Sequence, residues 1–168
     1  MILVRIIAIA VVTHMAFVAA RMTASLYALA NNASTFTVGV IMALFSLVPM
    51  LIAVRAGRWL DAVGPRRPTL VGTLLILGGV LLPSVFSYAA ADLAPLLVAA
   101  VLIGTGSTLT MLSIQQVVGD RADPNHRAAA FSWLALGASI SGFTGPVLSG
   151  LLIDSFGHRA TFGVLVGV

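Results

Sequence analysis

The 168-residue sequence is 60% apolar and only 8% charged, and its mean hydropathy is +1.10. Because soluble domains carry roughly a quarter charged residues, this composition excludes a water-soluble globular protein. Its nine cations are all arginines scattered between apolar runs, which argues against a nucleic-acid-binding face. The absence of cysteine excludes disulfides, zinc-thiolate sites and thiol nucleophiles.

Five apolar runs are long enough to cross a membrane as helices, because about twenty residues span a hydrocarbon core of about 30 Å. A sixth run begins near residue 160 and is too short to cross before Val168. The runs are continuous, which favours helices over alternating strands. We therefore predict an all-α, polytopic transmembrane bundle that forms one domain over residues 1–168. The predicted spans are 6–28, 36–54, 68–88, 95–118 and 128–153.

The first run has two interpretations. Arg5 precedes it, and the small residues near Ala20 faintly resemble the cleavage site of a signal peptide. The run continues to Ala28, however, and four further runs follow. We therefore expect it to remain as the first span.

Two polar residues in the first span are the strongest candidates for mechanism. His14 and Arg21 lie seven residues apart, two helical turns, so they share one face that should look into the bundle. An arginine at that depth costs at least about 2.5 kcal/mol unless it is paired or hydrated. The alternatives are a neutral His14 bonded to a neighbouring span and an Arg21 that extends to the interface.

All five aspartates lie in loops or at span ends, so Arg21 has no carboxylate partner inside a span. We expect it to attract an anionic substrate group or to pair with an acid in a part of the protein outside this chain. His14 is then the candidate for coupling to a proton.

The connections between spans predict the orientation, because arginines accumulate in short cytoplasmic loops. The opposite side receives only Arg159, since residues 30–35 are uncharged and residues 87–94 carry only Asp92. The N-terminus is therefore predicted to be cytoplasmic, in the cell membrane. The seven arginines on the predicted cytoplasmic side are Arg5, Arg55, Arg58, Arg66, Arg67, Arg121 and Arg127.

The connection between spans two and three has the most specific pattern. Gly57 is expected to allow a close helix approach, Asp61 to pair with neighbouring arginines, and Gly64-Pro65 to form a tight turn. A charge-rich cytoplasmic loop would account for the composition alone. The order of residues, however, resembles the cytoplasmic signature between helices two and three of the major facilitator superfamily.

That resemblance implies secondary transport or efflux of a small molecule by alternating access, with no cofactor and no enzymatic activity. The chain would be the N-terminal six-helix half, truncated within helix six. Its partners would be the lipid bilayer, a small-molecule substrate and a missing C-terminal half. The residues that would act as a conformational latch are Gly57, Arg58, Asp61, Gly64, Arg66 and Arg67.

Span four resembles the family only in part. Gly104 and Gly106 match the glycines of its helix-four motif, but Ala100 stands where the family has an arginine tied to proton coupling. Most polar side chains of this span are expected to bond between helices, while Thr108 and Gln115 are the candidates to line a cavity.

Span five contains Gly145-Pro146 and Gly150, which resemble the Gly-Pro-x-x-Gly-Gly motif of drug/proton antiporters, with Ser149 in place of one glycine. A kinked helix with a packing stripe of small residues explains the same segment. The stripe residues, which recur every four positions, are Gly137, Ser141, Gly145 and Ser149.

A second function class remains open. A non-transporting membrane module could assemble with partner helices through the small-residue stripe of span five.

Asp123 and His126 could be ligands of a metal ion, but no further ligand lies at suitable spacing, so we expect no metal site. No constellation of catalytic side chains converges, which makes an enzyme the least supported class.

Overall fold

The computed structural model describes residues 2–85 and 94–166, and these residues form a bundle of long α-helices. No strand occurs within those two ranges, so the all-α prediction is confirmed. The elements in chain order are α1 (Ile2–Ala30), α2 (Thr35–Val63), α3 (Arg66–Val85), α4 (Ala94–Arg121), a 3-10 helix (Pro124–His126) and α5 (Arg127–Val166).

Four stretches of the described chain are long and apolar enough to cross a membrane, namely Leu3–Ala30, Thr35–Val63, Ala94–Arg121 and Pro124–His158. The predicted third span begins in α3, but its end at Tyr88 and the following Asp92 lie outside the described residues. Large apolar side chains project outward from these helices, as Phe36 and Phe143 do with 80% and 74% of their surface exposed. Such surfaces suit a hydrocarbon environment and not water.

Two short connections join the first three helices. Asn32 has a φ of 59° in the turn after α1, and the Ser34 hydroxyl then accepts a hydrogen bond from the Thr37 N–H at 3.1 Å to cap α2. Gly64 ends α2 with a φ of 75°, and its N–H donates to the Leu60 carbonyl at 2.9 Å. The tight turn that the sequence predicts at Gly64-Pro65 is therefore present. Glycine suits this position because only glycine adopts such dihedrals freely.

The last helix is broken at Gly157, whose φ of 80° and ψ of 164° are the non-helical values inside α5. The segment 158–166 then folds back onto the bundle, where Phe162 is buried and the His158 ring lies 5.8 Å from that of Tyr27. The helix that the sequence predicts from about residue 160 therefore starts directly after Gly157.

The helices pack in pairs, with α3 and α2 against α4 and α1 against α5. A large apolar core that includes Ile41, Phe45 and Ile103 holds α1, α2 and α4 together. A second core contains Ala10, Val118 and Ala130 near the beginnings of α1 and α5 and the end of α4. The beginning of α3 lies at the same end, since Thr69 lines a cavity with Ile6 and Val117. The arginines of the predicted cytoplasmic side, which lie in these segments and in the adjoining end of α2, therefore share one end of the bundle.

Candidate functional site

A cavity of about 200 Å³ lies between α1 and α4, and we call it the α1–α4 cavity. A neighbouring cavity of about 330 Å³, lined mainly by α1, α3 and α4, shares five residues with it: Thr13, Phe17, Ser107, Thr110 and Ile114. The residues that line the α1–α4 cavity are Ala10, Thr13, His14, Phe17, Ser107, Thr108, Thr110, Met111 and Ile114. Its surface is therefore largely apolar, with hydroxyls and one imidazole.

Two glycines fix the position of α4 beside α1. A methyl group on Gly104 would collide with the backbone carbonyl of Phe45 in α2, and one on Gly106 would collide with the Gly72 carbonyl in α3. Because α2 and α3 both contact the α4 backbone, α4 has little freedom to rotate. This packing determines which α4 side chains reach the cavity.

Five buried polar atoms have no hydrogen-bond partner among the described residues, and all belong to α1 or α4. An unsatisfied buried polar group costs about 1–3 kcal/mol, so five on two facing helices require an explanation. Two of them, the His14 and Ser107 atoms, line the α1–α4 cavity. The atoms are His14 Nδ1, Arg21 Nε, Thr105 Oγ1, Ser107 Oγ and Gln116 Oε1.

The structure brings together only some of the candidates from the sequence. His14 and Thr108 line the α1–α4 cavity together. Arg21 is half-buried two turns beyond His14 and lines none of the described cavities. Gln115 is exposed and likewise lies outside them, whereas the neighbouring Gln116 carries one of the unpaired atoms.

Sequence reasoning did not single out Ser107 or Thr13 among the polar residues of their helices. Ser107, Thr110 and Ile114 are spaced by three and then four residues, so they lie on one face of α4. This spacing could have indicated from the sequence that Ser107 lies on the cavity face. Two threonines of α3, Thr69 and Thr73, line the larger cavity and were also missed.

The expectation that hydroxyls of span four bond between helices is wrong for two of them. Thr110 donates to the Gly106 carbonyl at 3.0 Å, and Ser113 donates to the Leu109 carbonyl at 2.8 Å, both within α4. A hydroxyl near its own helix carbonyl satisfies itself at little entropic cost, so no second helix is needed.

Bonds between helices occur instead where α1 meets α5, an interface that we call the α1–α5 seam. Ser141 donates to the Val11 carbonyl at 2.9 Å, and the hydroxyls of Thr23 and Ser149 lie 2.8 Å apart. Both serines are fully buried. The two helices run in the same direction, because contacts advance together along both.

The glycines of the small-residue stripe also face α1. A methyl group on Gly137 would collide with the Val11 side chain, and one on Gly145 would lie 3.0 Å from the Val18 Cβ. At Gly150, by contrast, an added methyl group meets nothing within 4 Å. The dihedrals of α5 stay helical through Pro146, and the break lies at Gly157. The stripe is therefore occupied within this chain and is not free for partner helices.

The connection between α2 and α3 differs from two expectations. The one ion pair among the described side chains joins His126 and Asp123 at 3.7 Å, so Asp61 does not pair with the described arginines around it. A methyl group on Gly57 would meet nothing within 4 Å, so none of the described helices approaches closely there. The exposed charged residues of this connection are Arg58, Asp61, Arg66 and Arg67.

Comparison with known protein families supports a single assignment. A sequence model described as Major Facilitator Superfamily matches residues 6–168, which include α1 from Ile6 onward, the described parts of the other four α-helices and every residue that lines the α1–α4 cavity. No curated protein sequence matches the chain.

Proposed function

Because the chain belongs to the major facilitator superfamily, we propose that it is a secondary transporter that moves a small molecule across the cell membrane by alternating access. Members of this family are transporters, and the long apolar helices are those of a multi-pass membrane protein. The proposed substrate site is the α1–α4 cavity. Its remaining wall would come from a second half of the protein, since family sites form between two halves.

The observation that supports this site best is the pair of unpaired atoms in one cavity. His14 and Ser107 both line the α1–α4 cavity, and the buried atoms His14 Nδ1 and Ser107 Oγ have no partner among the described residues. A ligand in the cavity that offers a hydrogen-bonding group would satisfy either atom once its side chain turns toward the cavity. Hydrogen bonds gained only on binding contribute their free energy to affinity, which is what a substrate site requires.

The charge distribution supports an anionic substrate. Arg21 keeps a buried, unpaired Nε on the His14 face of α1. The described aspartates are all exposed and lie near helix ends or in connections: Asp61, Asp120, Asp123 and Asp154. A cation without a nearby acid in a low-dielectric region attracts anions strongly. His14 would bind the same substrate or carry a coupling proton.

The native absence of cysteine allows a direct test of this charge preference. Thr108→Cys places a thiol in the α1–α4 cavity of the reconstituted chain. We expect a negatively charged sulfonatoethyl methanethiosulfonate to react faster there than a positively charged trimethylammonioethyl one, by on the order of tenfold. Arg21→Gln should remove most of that difference.

The matched control is Ser155→Cys, at an exposed serine just beyond the end of the predicted fifth span, whose hydroxyl bonds only within its own helix. An anion-to-cation rate ratio that is equal in the Thr108→Cys and Ser155→Cys variants would contradict an anionic substrate. Uptake of labelled benzoate into vesicles that contain the chain, above the uptake into protein-free vesicles, would separately support transport. A non-transporting module would give no uptake above that level.

We propose that the connection between α2 and α3 is a cytoplasmic latch that stabilises one access state. Its charged side chains are exposed and unpaired within the described chain, so they are available to a second half of the protein. Asp61→Asn should lower the transport rate severalfold while membrane insertion stays normal. Asp123→Asn, which removes a surface ion pair of little energetic weight, is the control. Unchanged transport in the Asp61 variant would count against the latch.

A further inference from the structure

We propose that the substrate carries a flat apolar ring and that Phe17 is the residue that selects it. This inference rests on the α1–α4 cavity being the substrate site. Phe17 is one of five residues that line both that cavity and the larger one beside it, and it is the only aromatic residue among the five. Its ring is half-buried.

Neighbouring rings hold Phe17 in place. Its ring centroid lies 6.0 Å from that of Phe45 at an interplanar angle of 70°, an edge-to-face contact. Phe45 is only 2% exposed, and its backbone contacts α4 at Gly104, so Phe45 cannot withdraw without moving two helices. The support behind Phe17 is therefore rigid, which favours a defined surface on the cavity side.

The cavity wall around Phe17 has the chemistry of a ring site. The His14 ring lies 6.1 Å from that of Phe17, and the Met111 thioether lines the same cavity. Aromatic rings prefer edge-to-face or offset contacts with other rings, and thioether sulfur also contacts ring edges favourably. An alkyl group of equal size would gain only the contact area.

The dimensions fit one ring with a polar head. Dry protein cavities of about 150 Å³ bind benzene, and the α1–α4 cavity has a volume of about 200 Å³. The unpaired atoms of His14 and Ser107 are available to a polar group attached to the ring. The expected substrate is therefore a small aromatic acid or a similar ring-bearing anion.

A pair of thiol reagents isolates the ring from size and polarity. Benzyl and cyclohexylmethyl methanethiosulfonate differ in aromaticity but little in bulk, and both can be applied to the reconstituted chain with Ser107→Cys. We expect the benzyl reagent to react about two to twelve times faster, relative to the ratio at the exposed Ser155→Cys control beyond the span end. Phe17→Leu should abolish the preference, and Phe17→Tyr should retain it.

Two results would overturn the proposal. One is a preference for the benzyl reagent that survives in Phe17→Leu, and the other is the absence of that preference in the chain with Phe17 intact. Phe143→Leu, on the exposed face of α5, should leave the ratio unchanged. Methyl methanethiosulfonate reports whether each variant keeps a reactive cavity, and Thr108→Cys is a second reporter if Ser107→Cys misfolds. Loss of the charge preference alone would refute the anionic substrate without affecting the ring preference.

Discussion

Two buried serines illustrate how a single residue type takes different roles in this chain. Ser141 shares its proton between the carbonyls of Val11 and Gly137, each at 2.9 Å, and so joins α5 to α1. Ser107 is on the wall of a cavity, and its oxygen is buried without a partner among the described residues. The first serine stabilises the bundle, whereas the second is available to a ligand. Membrane interiors make this contrast sharp because no bulk water can satisfy a polar atom there.

Gly104 offers a test of the packing that positions α4. Gly104→Ala places a methyl group against the Phe45 backbone, which cannot move aside as a flexible side chain would. We expect the variant to lose about 1–3 kcal/mol of stability, the usual cost of overpacking. The midpoint of thermal unfolding in detergent measures the loss.

The control for this change is Gly78→Ala in α3, where an added methyl group meets nothing within 4 Å. Alanine is favoured over glycine inside a helix, so that variant should gain about 0.5–1 kcal/mol. Equal unfolding midpoints for the two variants would mean that α2 and α4 do not approach as closely as described.

The sequence could identify some of these residues and not others. His14 and Arg21 stand out because each is a polar residue in a long apolar run, where its energetic cost is visible from composition. Span four contains many hydroxyls and amides, and nothing in their order tells which bonds within its own helix. Thr110 does so and Ser107 does not.

At the scale of elements, two turns at opposite ends of the bundle share one backbone geometry. Gly64 has φ 75° and ψ 172°, and Gly157 has φ 80° and ψ 164°. Each glycine follows an aspartate by three residues, at Asp61 and Asp154, so the likeness extends to sequence. Both dihedral pairs lie in a region that is essentially restricted to glycine.

Gly157→Ala should therefore destabilise the break between α5 and the segment 158–166. Forcing a side chain into these dihedrals costs on the order of 1–3 kcal/mol. Gly163→Ala is the matched control, since Gly163 lies in the helix after the break and its methyl group would meet nothing within 4 Å. Faster proteolysis in the region of residue 157 in the first variant alone is the expected result. Equal cleavage of both would argue against strain at the break.

The positions of the helices could be predicted from the composition far better than the contacts between them. A continuous apolar run specifies a helix in lipid whatever its neighbours are, because the backbone must bond to itself. Contacts depend on the relative rotation of two helices, which single-sequence patterns do not encode. Gly57 and Gly145 are both glycines at a predicted close helix approach, yet a methyl group added at Gly57 meets nothing within 4 Å and one added at Gly145 meets α1.

For the whole molecule, charge is segregated along the bundle axis. The beginnings of α1, α3 and α5 and the ends of α2 and α4 carry seven of the nine arginines. Arg21 lies inside α1, and the other end has only Arg159, after the break at Gly157, and an uncharged turn at Asn31–Asn32. Positively charged loops remain in the cytoplasm in most membrane proteins. This distribution supports the proposed orientation of the N-terminus.

Reporter insertions would measure that orientation. A periplasmic or extracellular reporter placed at Asn32 should be active, and the same reporter placed at Asn125 should be inactive. Activity only at Asn125 would invert the topology, and activity at neither site would contradict the odd number of predicted spans between them.

The α1–α5 seam also has a consequence for how the protein is made. Ser141 and Val11 are 130 residues apart in the chain, so α1 leaves the ribosome long before its principal partner exists. At about 5–20 residues per second, translation of that interval takes roughly 7–26 s. During this time the Thr23 hydroxyl bonds only to the Ala19 carbonyl of its own helix, at 2.9 Å. Until α5 is made, the face of α1 that forms the seam is therefore open to lipid.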